Sequence, residues 1–392
     1  MDNGSAHKVV IVGGGAGGLE LATKLGRKFG PRHVYLIDKA TDHIWKPSLH
    51  EVASGTLDIH REGLSYFMLA KDCGFNFLCA ELDSVDRANK IIRLKATLSP
   101  QGEPVFPVRH LSYDTLVMAV GSKSNFFGTP GAAEYAISLD STDQAERFRL
   151  KLLHQLALLN QQKTSGADSQ LAISIVGGGA TGVELAAELL EACRDTIFYG
   201  LEHLDVKRDV RITLLEGSDR ILSALPPRMS ATAQRLLEDK GVTVKTSVKV
   251  SQVLEDALLD AQGQRYASDL CVWAAGIKAP GLLAELGLPV NRIGQLVADI
   301  NLRTSDEAIY ALGDCAQVPW GSQASYLPAR AQVAHQQANY LLPFLAARIR
   351  HTHIADKPFV FRDYGSLVSV GHNRGVGSLM GVLSGKSWFV DG

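Results

Sequence analysis

The chain has 392 residues, 46% of them hydrophobic and 21% charged, with a net charge of −1. That is enough chain for two or three domains with substantial cores, and the composition excludes a disordered protein. The balanced charge excludes a nucleic-acid binder that relies on bulk positive field, and five cysteines, odd in number and mostly scattered, argue against a disulfide framework and for a reducing cytoplasm.

The N-terminal residues hold no apolar core of a secretory signal, and no apolar run approaches the roughly 20 residues of a spanning helix, so any membrane contact is expected to be peripheral. Val9 to Val12 is a β-branched run that ends in glycines, and a helix-period pattern (Leu19, Ala22, Leu25) follows them. Gly13, Gly15 and Gly18 fit G-x-G-x-x-G. The first permits the tight turn, the second lets backbone approach a pyrophosphate, and the third allows close strand–helix packing. Asp38 closes a second apolar strand 20 residues past Gly18, where a ribose-binding acid belongs.

Thr41 to Gly55 is aromatic, basic and proline-containing. Lys46 and Pro47 stand there with no Cys-x-x-x-x-Cys, and the segment reads either as a cation and rigid wall beside a cofactor ring or as a surface loop around Trp45. Residues 60–72 are predicted helical, and residues 75–98 are predicted to alternate in short strands, with Cys73 and Cys79 as small buried residues. A loop follows from Pro100 to Pro107. Tyr113 to Val120 is a buried strand ending at Gly121, where backbone can again approach a cofactor. Ser141 to Gln161 is a capped helix and Gln162 to Gln170 a linker.

Val176 to Ala186 then matches Val12 to Ala22 at nine of eleven positions. The repeat predicts two dinucleotide folds, with Gly177, Gly179 and Gly182 as the second phosphate loop. Its acidic partner is Glu216, 34 residues past Gly182, the excess assigned to a longer helix and loop between Ala192 and Arg208. A carboxylate there accepts the ribose 2′-OH and repels a 2′-phosphate, which favours NADH over NADPH, although Arg220 lies nearby. Glu20 and Glu184 share a slot in the first turn of each helix. Both can complement the helix dipole, Glu20 can add a ribose contact, and Glu184 can instead reach the nicotinamide.

A helix from Pro226 to Lys240 and strands at Val242–Val253 and Leu270–Ala274 finish the second fold, which ends near Gly276. A strand from Ala308 to Leu312 delivers Gly313 and Asp314, an acid able to bond a polyol, or simply a strand-ending turn. Pro328 to Arg350 reads as a helix kinked or ended by Pro343, with Gln332 and Gln336 on one face. Two amides there can bind an electron acceptor or simply be surface residues. His351 and His353 have no metal-ligand spacing and are expected to be exposed, and no metal site is predicted.

Nearly the whole chain resembles the type II NADH dehydrogenases, single-subunit FAD enzymes that reduce quinone at the bacterial membrane without pumping protons. The likeness lies in Val-Gly-Gly-Gly-Ala-Gly-Gly-Leu-Glu, Trp-Lys-Pro-Ser-Leu-His-Glu-Val-Ala-Ser-Gly, Gly-Gly-Gly-Ala-Thr-Gly-Val-Glu, Trp-Ala-Ala-Gly-Ile-Lys, Ala-Leu-Gly-Asp-Cys and Ala331-Gln-Val-Ala-His-Gln336. It implies an α/β fold of two Rossmann-like domains, the second inserted into the first. An FAD domain is expected over residues 1–125 and 281–345, an NADH domain over 126–280, and a C-terminal segment over 346–392. Non-covalent FAD would meet the first loop, Asp38, Lys46, Pro47, Gly121, Gly313, Asp314 and Ala331. NADH would meet the second loop, Glu184, Glu216 and Gly276.

By the same resemblance Gln332 and Gln336 orient the quinone, Glu184 and Lys46 join them as catalytic residues with Lys46 beside the flavin, and the enzyme sits peripherally on the cytoplasmic side of the inner membrane, with a homodimer possible. The family continues into C-terminal amphipathic helices that anchor it, so a truncated or much reduced anchor is expected here. Two other readings stay open: a sulfide:quinone or disulfide oxidoreductase, which needs paired thiols, and a non-enzymatic flavoprotein that senses NADH.

Overall fold

The computed structural model describes residues 6–99, 101–321, 325–371, 375–380 and 387–391. Met1 to Ser5, Pro100 at the head of the expected loop, and Gly392 lie outside the described residues. The chain divides into two compact units, one comprising Met1–Trp45, Gly63–Lys123 and Ile277–Arg362, the other Lys46–Glu62, Ser124–Gly276 and Asp363–Gly392.

The first unit is built on a five-stranded parallel sheet in the order Ile309–Ala311, Thr115–Met118, Val9–Val12, Val34–Asp38, Asn76–Cys79. Val9–Val12 is buried along its whole length, as a strand covered on both faces must be. The late strand Ile309–Ala311 returns to this sheet beside Thr115–Met118, which makes the unit discontinuous in sequence. Helix Ala16–Phe29 packs against helix Ala331–Ile349. Gly17 permits the approach, since a Cβ there would meet the Ala334 carbonyl oxygen at 2.9 Å.

Three expectations are corrected in this unit. Residues 60–72 are not one helix: Gly63 interrupts it, and Leu64–Ser65 pairs antiparallel with Asp42–His43 before a new helix runs Tyr66–Cys73. Helix Ala331–Ile349 begins three residues after Pro328 and passes through Pro343. Buried Leu341, Leu345 and Ala346 hold the turns on either side, so packing outweighs the single lost backbone bond.

The second unit repeats the plan. Its parallel sheet runs Ala136–Ser138, Leu270–Trp273, Leu171–Val176, Val210–Leu215, Thr243–Lys245. Ser141 caps helix Thr142–Thr164 by accepting the Gln144 N–H. The expected strand Val242–Val253 is two strands, Thr243–Lys245 and Val250–Val253, separated by Ser247 at φ 58°. Residues 46–62 fold as a turn and short helices, with Leu49–Ser54 packed on helices Thr142–Thr164 and Ala180–Gly200.

Candidate functional site

In the first unit the glycine loop leaves the central strand at its C-terminal end, where ligands of open α/β sheets bind. Gly13 has φ 105°, and a side chain on it would collide with the Ala119 carbonyl. A methyl group on Gly18 would run into the Gly13 carbonyl, whereas the space over Gly15 is open. Asp38 does more than wait for a ribose: its Oδ2 accepts the Gly14 N–H at 2.6 Å and its Oδ1 the Ala40 N–H at 2.9 Å. The Gly14 carbonyl is gripped from the other side by the Tyr66 hydroxyl at 2.7 Å. His43 Nδ1 lies 3.0 Å from the same oxygen.

The neighbouring strands deliver Gly121 and Gly313 to the same sheet edge, both with positive φ. Ser122 Oγ donates to Asp314 Oδ2 at 2.8 Å, Gln295 donates to the Asp314 carbonyl at 2.9 Å, and the buried Gln337 accepts the Gly313 N–H at 2.7 Å. A cavity of about 350 Å³ opens beside Gly13 and Asp38, lined among others by Val12, Ala80, Val120 and Leu282. The structure thus brings Gly13, Asp38, Gly121, Gly313 and Asp314 to one edge. Open space over Gly15 and remaining lone pairs on Asp38 fit a dinucleotide diphosphate and ribose.

The second loop is a near-copy in three dimensions. Gly177 has φ 112° and lies against the Ala274–Ala275 peptide, a methyl on Gly182 would meet the Gly177 carbonyl, and the space over Gly179 is open. Glu216 Oε2 accepts the Gly178 N–H at 2.6 Å and its Oε1 the Ser218 N–H at 2.7 Å. The Gly178 carbonyl accepts the Leu222 N–H at 2.7 Å. The longer spacing to Glu216 is taken up by helix Ala180–Gly200 and the short helix Val206–Asp209. Arg220 is turned to its own loop, donating to the carbonyls of Leu225 and Ser223 at 2.8 and 2.7 Å. Gly276, at φ 67°, faces the Phe127 ring.

Glu184, one turn into the second-loop helix, is held by the Ser369 N–H at 3.1 Å. Burial pushes its carboxyl up, against the pull of His50 and the Ser369 bond. His50 and Glu188 complete this cluster, and the motif reading passed over both. The signal for Glu188 was available, since it lies four residues from Glu184 on one helix face. Lys46 and Pro47 occupy the turn leading into helix Leu49–Ser54, which carries His50, with Lys46 Nζ 3.8 Å from Asp140.

In the first unit Ala331 begins the glutamine helix. Gln332 stands one residue further along, in its first turn. Gln336 differs from expectation: its amide donates to the Arg362 carbonyl at 2.8 Å and accepts the Arg362 N–H at 3.0 Å, which engages both ends with backbone. Glu20 has protein partners besides the helix dipole. Its carboxylate joins the two packed helices through His335 at 2.5 Å and Asn339 at 3.1 Å.

All five cysteines are free. Burial pushes the Cys193, Cys271 and Cys315 thiols up to about 12, so none is a ready thiolate. Cys73 is buried as expected and Cys79 only partly so. His351 and His353 are exposed.

Residues 7–338 match the family model for pyridine nucleotide-disulphide oxidoreductases. A type II NADH:quinone oxidoreductase of Haemophilus influenzae is 38% identical over 388 residues, covering 95% of this chain and 86% of that protein. One from Mycobacterium tuberculosis is 27% identical over 391 residues, covering 95% and 80%. The solved structure of NDH2 from Plasmodium falciparum in complex with NADH superposes with a TM-score of 0.81 over 99% of this chain and 92% of that one, at 21% identity, a likeness of fold.

Proposed function

The chain belongs to the type II NADH:quinone oxidoreductases, within the pyridine nucleotide-disulphide oxidoreductase family, and from that premise we propose how its residues divide the work. It oxidises NADH and reduces quinone by way of a flavin. Bound flavin supplies a hydride acceptor and a two-electron donor in one group, and the protein's own contribution is binding, orientation and electrostatics.

FAD is held non-covalently by the first unit, with Gly13, Gly15 and Gly18 at the diphosphate, Asp38 at the ribose, and Gly121, Gly313, Asp314 and Ala331 along the remainder. NADH is held by Gly177, Gly179, Gly182, Glu216 and Gly276, with Glu184 placing the nicotinamide. The observation that supports two dinucleotide sites is the duplicated clamp, in which an acid at a strand end accepts the N–H of the middle glycine of each loop at 2.6 Å, and the family likeness assigns FAD to the first and NADH to the second. Glu216 and the self-satisfied Arg220 support NADH over NADPH, since a 2′-phosphate would meet a carboxylate and no waiting guanidinium.

Gln332 contacts the quinone carbonyl. Gln336 acts by holding the Arg362 peptide rather than by touching substrate. No helix among the described residues is long and apolar enough to cross a membrane. The lipid-soluble acceptor supports peripheral attachment to a membrane, and the family likeness suggests the cytoplasmic side of a bacterial inner membrane.

The test is optical. Purified protein should show a flavin spectrum that NADH bleaches within the turnover time and quinone restores, with NADPH much less effective. A reduced flavin indifferent to quinone would favour an NADH-sensing role instead.

A further inference from the structure

Glu184 and Glu188 project from one face of helix Ala180–Gly200. The His50 imidazole, 6% exposed, lies against both, with Nε2 3.3 Å from Glu188 and Nδ1 4.0 Å from Glu184. Nδ1 is buried and has no hydrogen-bond partner among the described residues. Glu51, on the same short helix as His50, brings a carboxylate oxygen within 4.8 Å of a His50 ring nitrogen and of a Glu188 carboxylate oxygen. Ser54 Oγ donates to Glu188 at 3.3 Å.

Among the described residues, the other elements packed here bring no counter-charge to the imidazole. Arg149, from helix Thr142–Thr164, lies against Gly55 and pairs with Glu146 at 2.5 Å. Lys46 lies 3.8 Å from Asp140. Strand Gly365–Ser369 has no ionisable side chain and offers only the Ser369 N–H to Glu184. Three carboxylates therefore face one histidine.

We infer that His50 is a positioning residue for Glu184 that carries a proton while the bound nicotinamide is reduced and releases it when the nicotinamide is oxidised. The inference rests on the proposed placement of the nicotinamide by Glu184. The reduced ring is neutral and the oxidised ring carries one positive charge. That charge, arriving beside Glu184, takes over the neutralisation of the carboxylates and raises the free energy of the neighbouring imidazolium. The imidazolium N–H bond breaks, its electron pair stays on the ring nitrogen, and the proton leaves to water. The overall reaction, NADH plus a proton plus quinone giving NAD⁺ and quinol, draws one proton from solution and so has a use for it.

The cluster is suited to the part. Burial alone would push His50 down, but the bond and charge of Glu188, with the charges of Glu184 and Glu51, outweigh it and hold the imidazole above its ordinary range.

Calorimetry in buffers of different ionisation enthalpy counts protons released when the flavin-loaded enzyme binds NAD⁺, or binds tetrahydro-NADH, a reduced analogue that transfers no hydride. We expect up to about half a proton released with NAD⁺ at the midpoint of the imidazole titration, the most that a shift of about one unit gives, and little with the analogue. We also expect NAD⁺ to bind about 5–10-fold tighter at pH 8.5 than at pH 6.5, the reciprocal of a shift of up to about one unit in the imidazole. His50→Gln should abolish both effects, and Glu188→Gln should move the release to lower pH. Equal counts from the two nucleotides, or release unchanged in His50→Gln, would overturn the inference. Should that variant not fold, an unmoved window in Glu188→Gln overturns it. Glu184→Gln separates the premise: an unchanged NADH KM removes the nicotinamide placement, whereas a raised KM with no nucleotide-dependent release in the wild type removes only the role of His50.

Discussion

Glu216 accepts the backbone N–H of Gly178 at 2.6 Å, so the acid proposed to select the nucleotide also holds the shape of the glycine loop proposed to receive its phosphates. Removing it therefore costs twice. Glu216→Ala leaves the Gly178 N–H without its acceptor, a loss of roughly 1–3 kcal/mol, or about 5–150-fold in affinity. We expect the NADH KM to rise by about that factor with flavin content unchanged, because the first loop has its own clamp at Asp38. NADPH should be discriminated against less, since the repelling carboxylate is gone. Steady-state kinetics with both nucleotides checks this, and an NADH KM within twofold of wild type would remove the clamp's role in binding.

That double duty was only half legible in the chain. The two strand–glycine–helix segments are local patterns, and their buried strands, positive-φ glycines and closing acids follow from contiguous residues. The clamp on the middle glycine joins residues 24 and 38 positions apart and has no local signature. Likewise His50 meets Glu184 and Glu188 only because a six-residue helix packs on a distant one. The break at Gly63 was misjudged for the opposite reason: the residues around it have helical periodicity, and a two-residue pairing with Asp42–His43 overrides it.

Gln336 illustrates the same limit, because its amide is engaged with a peptide 26 residues away. Gln336→Ala gives up two hydrogen bonds, about 1–3 kcal/mol together at 0.5–1.5 kcal/mol each. We expect a lower melting temperature and a change in quinone KM smaller than that caused by Gln332→Ala. Ferricyanide reduction by NADH, which bypasses quinone binding, should be near wild type in both. If Gln336→Ala leaves the melting temperature untouched while raising the quinone KM tenfold, the amide belongs at the substrate after all.

The thiols answer the question of a disulfide mechanism. Cys193, Cys271 and Cys315 are buried with thiols raised to about 12, so their thiolate fraction at pH 8 is about one in ten thousand. Iodoacetamide on the native enzyme at pH 8 should label Cys79 at most, the one cysteine that is partly exposed, and leave NADH:quinone turnover intact. Mass spectrometry of the labelled protein reads the first expectation and an activity assay the second. Rapid loss of activity with one buried cysteine alkylated would return a thiol to the mechanism.

Asp209 governs the acid limit of the second unit. It is fully buried, with Arg208 at 2.7 Å and Lys163 at 2.9 Å, and it accepts the Asp205 N–H at 2.8 Å. The Arg208 hydrogen bond chiefly, against the cost of burial and with help from the Asp205 N–H and Lys163, holds its carboxyl well below the usual carboxylate range. A folded-state value below the unfolded one means that the stabilisation is fully present above the unfolded pKa of about 3.9 and is lost as pH falls toward the folded value. Asp209→Asn should therefore cost about 2 kcal/mol at pH 7, less than a fully buried pair because Arg208 is largely exposed. That corresponds to a fall in melting temperature of roughly 4–8 °C. The gap between variant and wild type should narrow steadily below pH 4. Melting curves from pH 7 to pH 3 decide it: a gap that stays constant would mean that Asp209 contributes through packing rather than through its charge.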